Sequence, residues 1–237
     1  MARRIFDAVW PGPDGCTQLQ PNLMRALIHV GGYASVARLD EVPVAAAFGF
    51  IGRHRAADGT HIHLHSHMAA VVDGYRDRNI GSALKLHQRT WALDCGIDTI
   101  VWTFDPLVRR NARLNLLKLG VDVEGFEVDF YGNMDDGINS GDPTDRLFAW
   151  WRLDSPRVYA AMAGRLEPVD LLEREEAGRD VLEIDLPEDI VALRASDPTA
   201  AARWRLDLRA ALTDAFAAGF RIIGVSPAGG YVLERQP

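Results

Sequence analysis

The sequence predicts a mixed α/β (α+β) domain, that is, a sheet of antiparallel and parallel strands with helices between them. Two strand candidates within residues 33–52 are separated by a short turn, which indicates an antiparallel pair. Amphipathic helical stretches then alternate with short β-rich runs between residues 80 and 153, which is typical of crossover connections. The chain has 237 residues, of which 48% are hydrophobic, enough for one large domain or one domain with a small companion.

Charge and cysteine content exclude several classes of protein. The formal net charge is −7, which argues against a general nucleic-acid binder, because phosphate-backbone affinity needs a clustered positive surface. No apolar run approaches the roughly 20 residues of a membrane span, and the N-terminus is too polar and aromatic for a secretory signal. Cys16 and Cys95 have no paired spacing and fit reduced thiols. We therefore expect a cytoplasmic protein that binds neither nucleic acid nor membrane.

Prolines and glycines mark the boundaries of the elements in the first part of the chain, because they interrupt helices and strands. Helical spacing of apolar residues and β-rich composition define the elements between them. The predicted elements are helices over residues 2–9 and 21–30, strands over 33–39 and 44–52, and turns at 40–43 and 56–59.

The middle of the chain alternates between the two types of element. An amphipathic stretch over residues 80–95 ends at Gly96, and another over 107–119 ends at Gly120, as helices commonly do. The other predicted elements are strands over 99–104, 121–131 and 146–153, with a polar loop over 132–145.

The character of the sequence changes near residue 154. We expect residues 1–153 to form the main domain and residues 154–237 to form a small C-terminal α/β extension that packs on the main domain or on a partner subunit. The predicted elements of the extension are helices over 155–165 and 200–218, a charged linker or exposed turn over 167–180, a strand over 181–186, and a terminal hairpin over 220–225 and 231–233.

A row of histidines precedes the helix at residue 80. The four histidines recur at period two, which in a strand places their imidazoles on one face and a mostly apolar row on the other. The histidines are His61, His63, His65 and His67, and the intervening residues are Ile62, Leu64, Ser66 and Met68.

A basic turn rich in small residues follows this strand. Its segment Arg76-Asp77-Arg78-Asn79-Ile80-Gly81 resembles the acyl-CoA-binding motif of the GCN5-related N-acetyltransferases, which has the form Arg/Gln-x-x-Gly-x-Gly/Ala between a strand and a helix. Asn79 occupies the first glycine position, and asparagine tolerates left-handed backbone better than most residues. A second register, residues 78–83, satisfies the motif literally. A diphosphate needs converging N–H groups and a helix N-terminus, which such a turn supplies.

The resemblance extends over roughly residues 20–153 and implies the acyl-CoA N-acyltransferase fold. It also implies that acetyl-CoA or another short acyl-CoA binds as co-substrate, with no metal. The segment from Trp102 to Gly120, with the later YG and DDGIN, is similar to a poorly characterised subgroup of predicted acetyltransferases with no settled substrate. The implied acyl-CoA contacts are Ala69, Ala70, Val71, Arg76, Asp77, Arg78, Asn79, Ile80, Gly81, Ser82, Ala83 and, beside the pantetheine arm, Asn111.

Two features depart from the family. Many members carry a tyrosine a few residues before the Lys-Leu-Gly turn as the acid for the leaving thiolate, and Leu116 stands at that position here. The usual first strand of the fold also has no counterpart before the first helix. The C-terminal hairpin could fill that edge of the sheet, or the edge could lie open.

The histidine row offers candidates for proton transfer. His67, and after it His65, are candidate general bases, since an imidazole has an ordinary pKa of about 6.5. Backbone N–H groups from Ala69 to Val71 would hold the tetrahedral oxyanion. Two other interpretations stay open: a metal site built on His-x-His, and a polar sheet face, which is the favoured interpretation of His61 and His63.

The predicted function is acyl transfer to a primary amine, most simply an acetyl group to a small-molecule amine by direct attack. Another acyl donor such as succinyl is also compatible, with Arg109, Arg110 and Arg113 as candidate contacts. A homodimer is possible. The alternatives are a non-catalytic acyl-CoA-binding or regulatory module, which the missing tyrosine favours, and a histidine-metal enzyme.

Overall fold

The structure, a computed structural model, describes residues 1–12, 16–76, 78–132 and 142–236. It divides into two compact units. The first comprises Met1–Trp102, and the second comprises the described residues from Thr103 onward. The boundary predicted from composition near residue 153 stays a prediction about the organisation of the chain.

The first unit contains most of the elements predicted for the first hundred residues. Strand β2 pairs antiparallel with β1 and β3, and β3 pairs parallel with β4, so the mixed sheet is confirmed. The hairpin of β2 and β3 is longer than predicted, because its pairing continues to Ala56 and Gly59. The elements are α1 (Ala2–Val9), α2 (Pro21–His29), β1 (Tyr33–Leu39), β2 (Val42–Ala56), β3 (Gly59–Val71), α3 (Ile80–Asp94) and β4 (Thr99–Phe104), whose last two residues belong to the second unit.

A β-bulge interrupts the hairpin of β2 and β3. Gly49 pairs with Ser66 and Phe48 pairs with Met68, so His67 is the additional residue on β3. An additional residue reverses the alternation of side chains beyond it. The prediction that Met68 shares a face with Leu64 is therefore wrong, and Met68 packs with Phe48 instead.

Helices cover both faces of this sheet. On one face, Ile5 and Phe6 of α1 form a core cluster with Phe48 of β2 and Ala70 of β3. On the other face, the hydroxyl of Tyr33 lies 2.8 Å from Nδ1 of His87 in α3. The hairpin is therefore held from both sides near its bulge.

The second unit is built around a separate antiparallel sheet in the order β7-β9-β8, together with the antiparallel pair β5 and β6. The terminal hairpin predicted from the sequence is confirmed as β8 and β9. The elements are α4 (Arg109–Arg113), a π-helical segment (Leu114–Leu119), β5 (Asp122–Glu127), β6 (Arg146–Arg152), α5 (Pro156–Met162), α6 (Leu171–Glu176), β7 (Val181–Ile184), α7 (Ile190–Ser196), α8 (Pro198–Ala217), β8 (Phe220–Val225) and β9 (Tyr231–Arg235).

The structure corrects the details of three local expectations for the second unit. The helix predicted over residues 107–119 changes from α to π at Leu114, and the strand predicted over 121–131 ends at Glu127. The charged stretch 167–180 contains α6, whose N-terminus is capped by the Asp170 carboxylate. Helix α7, capped by Asp189, was not predicted, since its seven residues are too few for a clear periodicity.

No helix in the described ranges is long and apolar enough to cross a membrane.

Candidate functional site

The parallel pairing of β3 with β4 is short. It comprises Leu64 with Ile100 and His65 with Val101, whereas β3 runs on to Val71. Beyond the bulge, the N–H of Val72 donates to the carbonyl of Val44 at 3.0 Å. Because N–H directions alternate along an antiparallel strand, the N–H groups of Ala69 and Val71 point away from β2. This end of β3 therefore presents backbone donors along the edge that faces away from β2.

The structure separates the three β3 residues that were predicted to contact acyl-CoA. Ala69 is exposed and Val71 is half-buried, and both present their N–H groups at this edge. Ala70 is 3% exposed, packs into the core with Phe48, and by the same alternation directs its N–H toward β2. Of this group, Ala69 and Val71 are thus the residues whose N–H groups point away from β2.

The turn after β3 has the backbone that the sequence motif requires. Asn79 has φ 60° and ψ 9°, which is the left-handed conformation that a glycine would adopt at this position. Asn79 is also the N-cap of α3, and its carbonyl accepts the N–H of Ala83 at 3.0 Å. The N–H groups of Ile80, Gly81 and Ser82 precede this first intrahelical bond and point out of the helix, as at any helix N-terminus.

Gly81 lies beside the end of β3 and is half-buried. A Cβ atom added at Gly81 would find Cγ2 of Val71 as its nearest neighbour, at an ordinary contact distance of 3.9 Å. The backbone of Gly81 is also not in the left-handed region. Neither packing nor backbone conformation within the described residues therefore requires glycine here, although glycine lowers helix stability. A ligand that approaches the backbone closely would require it.

Two arginines line this turn. The guanidinium of Arg76 forms an ion pair with Asp73 at 2.9 Å, and that of Arg78 lies 5.4 Å from the centroid of the Tyr75 ring. Both arginines are exposed, so both can also reach a bound anion. Asp77, predicted as part of the motif, lies outside the described residues.

His65 and His67 flank the same aromatic ring. The ring of Phe50 has its centroid 5.0 Å from that of His65 and 5.6 Å from that of His67. Burial, followed by the charges of His67, His63 and Lys85, lowers the pKa of His65 to about 4. Desolvation by neighbouring protein atoms also lowers the pKa of His67. Part of this residue nevertheless faces solvent. Both imidazoles are therefore neutral at pH 7.

The other two histidines of the row belong to a different group, near the turn of the hairpin. Nδ1 of His63 lies 3.2 Å from Nδ1 of His54, and Nε2 of His61 lies 2.8 Å from a carboxylate oxygen of Asp58. Among the residues that the structure describes, no three histidine, cysteine, aspartate or glutamate side chains are grouped closely enough to hold a metal ion. His61 and His63 therefore contact other residues at the same end of the hairpin.

A buried polar cluster on α3 was missed by the sequence reasoning. Nζ of Lys85 donates to Oγ of Ser66 at 2.8 Å and to Oε1 of Gln88 at 3.4 Å. It also lies 3.8 Å from the centroid of the Trp102 ring. The only signal in the sequence was a charged residue at an otherwise apolar position of an amphipathic helix, which is too common to single out a site.

The remaining predicted site residues belong to the second unit. Asn111 is half-buried in α4, and its N–H donates to the carbonyl of Val108 at 2.8 Å. The guanidinium of Arg109 donates to the carbonyls of Ala228 and Leu186, so it is engaged in structural contacts. Leu116, which stands where the family tyrosine was expected, is fully buried.

The structure is similar to solved acetyltransferases. Naa50 of Arabidopsis thaliana, in complex with a bisubstrate analogue, is 15% identical and has a TM-score of 0.48, over 62% of this chain and 87% of that one. The ribosomal-protein-S18-alanine N-acetyltransferase of Escherichia coli is 13% identical with a TM-score of 0.48, over 65% of this chain and 86% of that one. A GNAT family acetyltransferase of Elizabethkingia anophelis with acetyl-CoA bound is 13% identical with a TM-score of 0.44, over 56% and 83%.

No protein-family model matches the sequence, and no curated protein is similar to it. At TM-scores below 0.5 and identities of 13–15%, the three structural likenesses carry no argument about what this chain does. The geometry of β3, the turn and α3 therefore has to carry the functional conclusion.

Proposed function

We propose that the protein is an acyl-CoA-dependent N-acyltransferase of the GCN5-related type, which transfers an acyl group, in the simplest case acetyl, to a primary amine. The observation that carries this proposal is the junction of β3 and α3. There, backbone donors on β3 lead to a helix N-terminus that is preceded by the left-handed Asn79 and contains Gly81, where a Cβ atom would meet only an ordinary contact.

The N-terminus of α3 is suited to a diphosphate. Three N–H groups point out of the first turn, and the helix dipole places partial positive charge at the same end. Arg76 and Arg78 add exposed guanidinium groups on the preceding turn. Gly81 leaves the backbone accessible to phosphate oxygens. This turn therefore has the N–H donors, the positive charge and the accessible backbone on which the family motif depends, although asparagine replaces the first glycine of the motif.

The edge of β3 is suited to the pantetheine arm. From Val71 back to Ser66 the strand covers roughly 16 Å at the usual rise per residue, which is comparable to an extended arm. The amide groups of the arm would pair with the backbone of Ala69 and Val71. The thioester would then lie near the bulge at His67, with a β3 N–H group polarising its carbonyl.

Of the two proposed bases, His67 is the more suitable by its pKa. A base that takes a proton from an ammonium group works best with a pKa near the working pH, and the pKa of His65, about 4, is too low for this task. The pKa of His67 is also lowered, so its base form is present at neutral pH. His67→Ala should remove the dependence of kcat/KM on the protonation of this imidazole, and an unchanged pH–rate profile would exclude His67 as the base.

A small-molecule amine is the proposed acceptor, and the homodimer and the cytoplasmic location remain parts of the proposal. A panel of primary amines crossed with short acyl-CoA donors identifies the acceptor and the acyl group together. Turnover with no amine of the panel, alongside tight acyl-CoA binding, would favour the second candidate function described below.

The proposal is tested by isothermal titration calorimetry with acetyl-CoA. Replacing both Arg76 and Arg78 by alanine should weaken binding by about tenfold or more, since each charge-assisted contact contributes on the order of 1 kcal/mol or more. Arg38→Ala is the matched control, because Arg38 is an exposed arginine in an i, i+3 ion pair like that of Arg76. Equal acetyl-CoA affinity in the wild-type protein, the double variant and Arg38→Ala would contradict the diphosphate site.

A non-catalytic acyl-CoA-binding module is the second candidate function. It is favoured by one observation, namely that the side chain at the family's tyrosine position is the buried, non-ionisable Leu116. In that case acetyl-CoA binds and raises the melting temperature, but no amine is acylated.

A further inference from the structure

Lysine is rare in this chain and arginine is abundant. The sequence contains two lysines, Lys85 and Lys118, against 24 arginines. Lys118 is exposed, whereas Lys85 is 8% exposed. Arginine keeps its charge at any pH that proteins encounter, while a buried lysine can lose its proton. At position 85 the chain therefore has a buried amine that can lose its proton, which the guanidinium groups of its arginines do not.

Burial without an ionic partner favours the neutral amine of Lys85, whereas the face of the Trp102 ring favours the charged form. Its Nζ contacts Ser66, Gln88 and the ring of Trp102, and none of the carboxylates in the described ranges forms an ion pair with it. Burial lowers the pKa of Lys85 to about 7, so a large fraction of the side chain carries a free lone pair at neutral pH. A neutral buried lysine is a nucleophile.

A second, independent observation concerns Gln88. This residue is fully buried, and its Nε2 has no hydrogen-bond partner among the residues that the structure describes. Its Oε1 accepts from Lys85, which leaves the amide N–H groups beside the amine without an acceptor. Buried donors are normally satisfied, so an unsatisfied one next to a nucleophile indicates a place for an oxygen atom of a ligand.

The cluster lies where β3 and β4 separate. The last parallel pair is His65 with Val101, and the next residue on each strand, Ser66 and Trp102, contacts Nζ of Lys85. In the proposed function the acyl end of the bound acyl-CoA extends along β3 toward this point. The amine, the free amide donor and the thioester would then meet at one place.

We propose that Lys85 is a self-acylation site, whose neutral amine takes the acyl group of bound acyl-CoA. This inference rests on the proposed function. Nζ attacks the thioester carbonyl, a C–N bond forms, and the C–S bond breaks. The sulfur leaves as a thiolate and takes the proton that Nζ loses, so no oxidant or reductant is needed. Nε2 of Gln88 donates to the carbonyl oxygen as negative charge develops on it. The product is a neutral amide, which is easier to bury than an ammonium group.

The test uses wild-type protein, acetyl-CoA and no amine acceptor, followed by mass spectrometry of arginine-directed fragments. The fragment of residues 79–89 contains Lys85 and no other lysine. We expect acetylation of Lys85 at least tenfold faster than that of the exposed Lys118. In urea-unfolded protein, the two lysines should react at similar, slow rates. Lys118→Arg should leave the modification of Lys85 unchanged, and Gln88→Leu should slow it by about tenfold or more.

The pH dependence gives a second readout. The modification rate of Lys85 should level off above pH 7–8, whereas an exposed lysine gains reactivity up to pH 10. On β3, the charge of Lys85 acts on His65, whose pKa of about 4 keeps it neutral over this range, and the contacts from α3 and β4, Gln88 and Trp102, do not titrate. A rate that keeps rising to pH 10 would overturn the inference.

Calorimetry with acetyl-CoA separates the two ways in which the test can fail. If acetyl-CoA binds but Lys85 stays unmodified, or if Lys118 reacts equally fast, the self-acylation site is excluded while the proposed function stands. If acetyl-CoA does not bind, the proposed function fails and the self-acylation site fails with it.

Discussion

The two units differ in whether their buried charged side chains have ionic partners. In the second unit, Arg205 is 2% exposed and donates to both oxygens of Asp105 at 2.9 Å, and Arg194 joins the same carboxylate at 2.7 Å. In the first unit, the buried Lys85 has no carboxylate partner among the described residues, and the neighbouring Gln88 keeps an unsatisfied donor. Removing one partner of a buried ion pair is strongly destabilising, whereas a buried charge that has no partner costs stability and needs another explanation.

The same contrast appears at other positions of the two units. Asp142 also accepts from Arg205 and Arg194, and Asp145, at 1% exposure, accepts both N–H groups of a fork from Arg209. These ion pairs account for the burial of the charges of Asp105, Asp145 and Arg205, although Nε of Arg109, Arg157 and Arg194 has no hydrogen-bond acceptor among the described residues. In the described part of the first unit, three features have no structural explanation: the glycine at position 81, the outward N–H groups of β3, and the buried Lys85. They lie along one path from the N-terminus of α3 to the bulge.

The largest expected effect is on the paired network. Arg205→Ala removes one partner of a buried ion pair and should lower the free energy of unfolding by about 3–5 kcal/mol. Chemical denaturation measures this change. Arg203→Ala, an exposed neighbour on the same helix, is the control and should change it by less than about 0.5 kcal/mol. Equal effects of the two substitutions would mean that the network does not stabilise the second unit.

The next effect concerns the unpaired lysine. The folded pKa of Lys85, about 7, lies below the ordinary value of 10.5, so the unfolded chain binds more protons between these two pH values. Stability should therefore rise from pH 7 to 10.5 by about 3–5 kcal/mol.

This pH dependence can be isolated by substitution. Lys85→Met should abolish the rise, and Lys118→Met should keep it, since Lys118 is exposed. Urea unfolding at several pH values measures both variants. A rise that persists in Lys85→Met would show that another group causes it.

A smaller effect of the opposite sign belongs to Asp105. Burial alone would raise the pKa of this carboxyl, but the charges and hydrogen bonds of Arg205 and Arg194 hold it at about 2. Because the folded pKa is depressed below 3.8, the stabilisation is present above that pH and is lost as the pH falls toward 2. We expect a loss of about 2 kcal/mol in acid unfolding. Asp105→Asn should remove this acid sensitivity, whereas Asp94→Asn, at an exposed position, should retain it.

The smallest effect on stability, with a clear effect on binding, is expected at Gly81. In Gly81→Val the new Cβ atom meets only an ordinary contact with Val71, so the free energy of unfolding should change by less than about 1 kcal/mol. The same side chain would block the approach of a diphosphate, and acetyl-CoA affinity should fall at least tenfold, about 1.4 kcal/mol. Calorimetry and thermal unfolding of the same sample measure both quantities. Unchanged affinity would show that no ligand needs the space above Gly81.

Much of the fold could be predicted from local patterns. The strand β2, the alternation of β3, the helix of residues 80–94 with its end near Gly96, and the hairpin of β8 and β9 all follow from β-rich composition, periodicity and turn chemistry. The left-handed turn at Asn79 also followed from the nature of the residue and its place in the motif.

The other features depend on contacts between distant residues. Whether His67 forms a bulge is decided by its pairing with β2, and one additional residue was enough to move Met68 to the opposite face. Asp105 lies close to the start of α4 in the sequence, but its main partner is Arg205, 100 positions away. Lys85 is buried by Ser66 and Trp102 from two strands, and nothing within α3 itself indicates that burial.

Residue-resolved hydrogen exchange with and without acetyl-CoA measures ligand binding at the β3–α3 junction directly. Acetyl-CoA should slow the exchange of the N–H groups of Ala69, Val71, Ile80, Gly81 and Ser82. It should leave the turn of the hairpin, residues 56–59, unchanged. Protection of those hairpin residues with none at Ala69, Val71 or residues 80–82 would contradict acyl-CoA binding at the junction of β3 and α3.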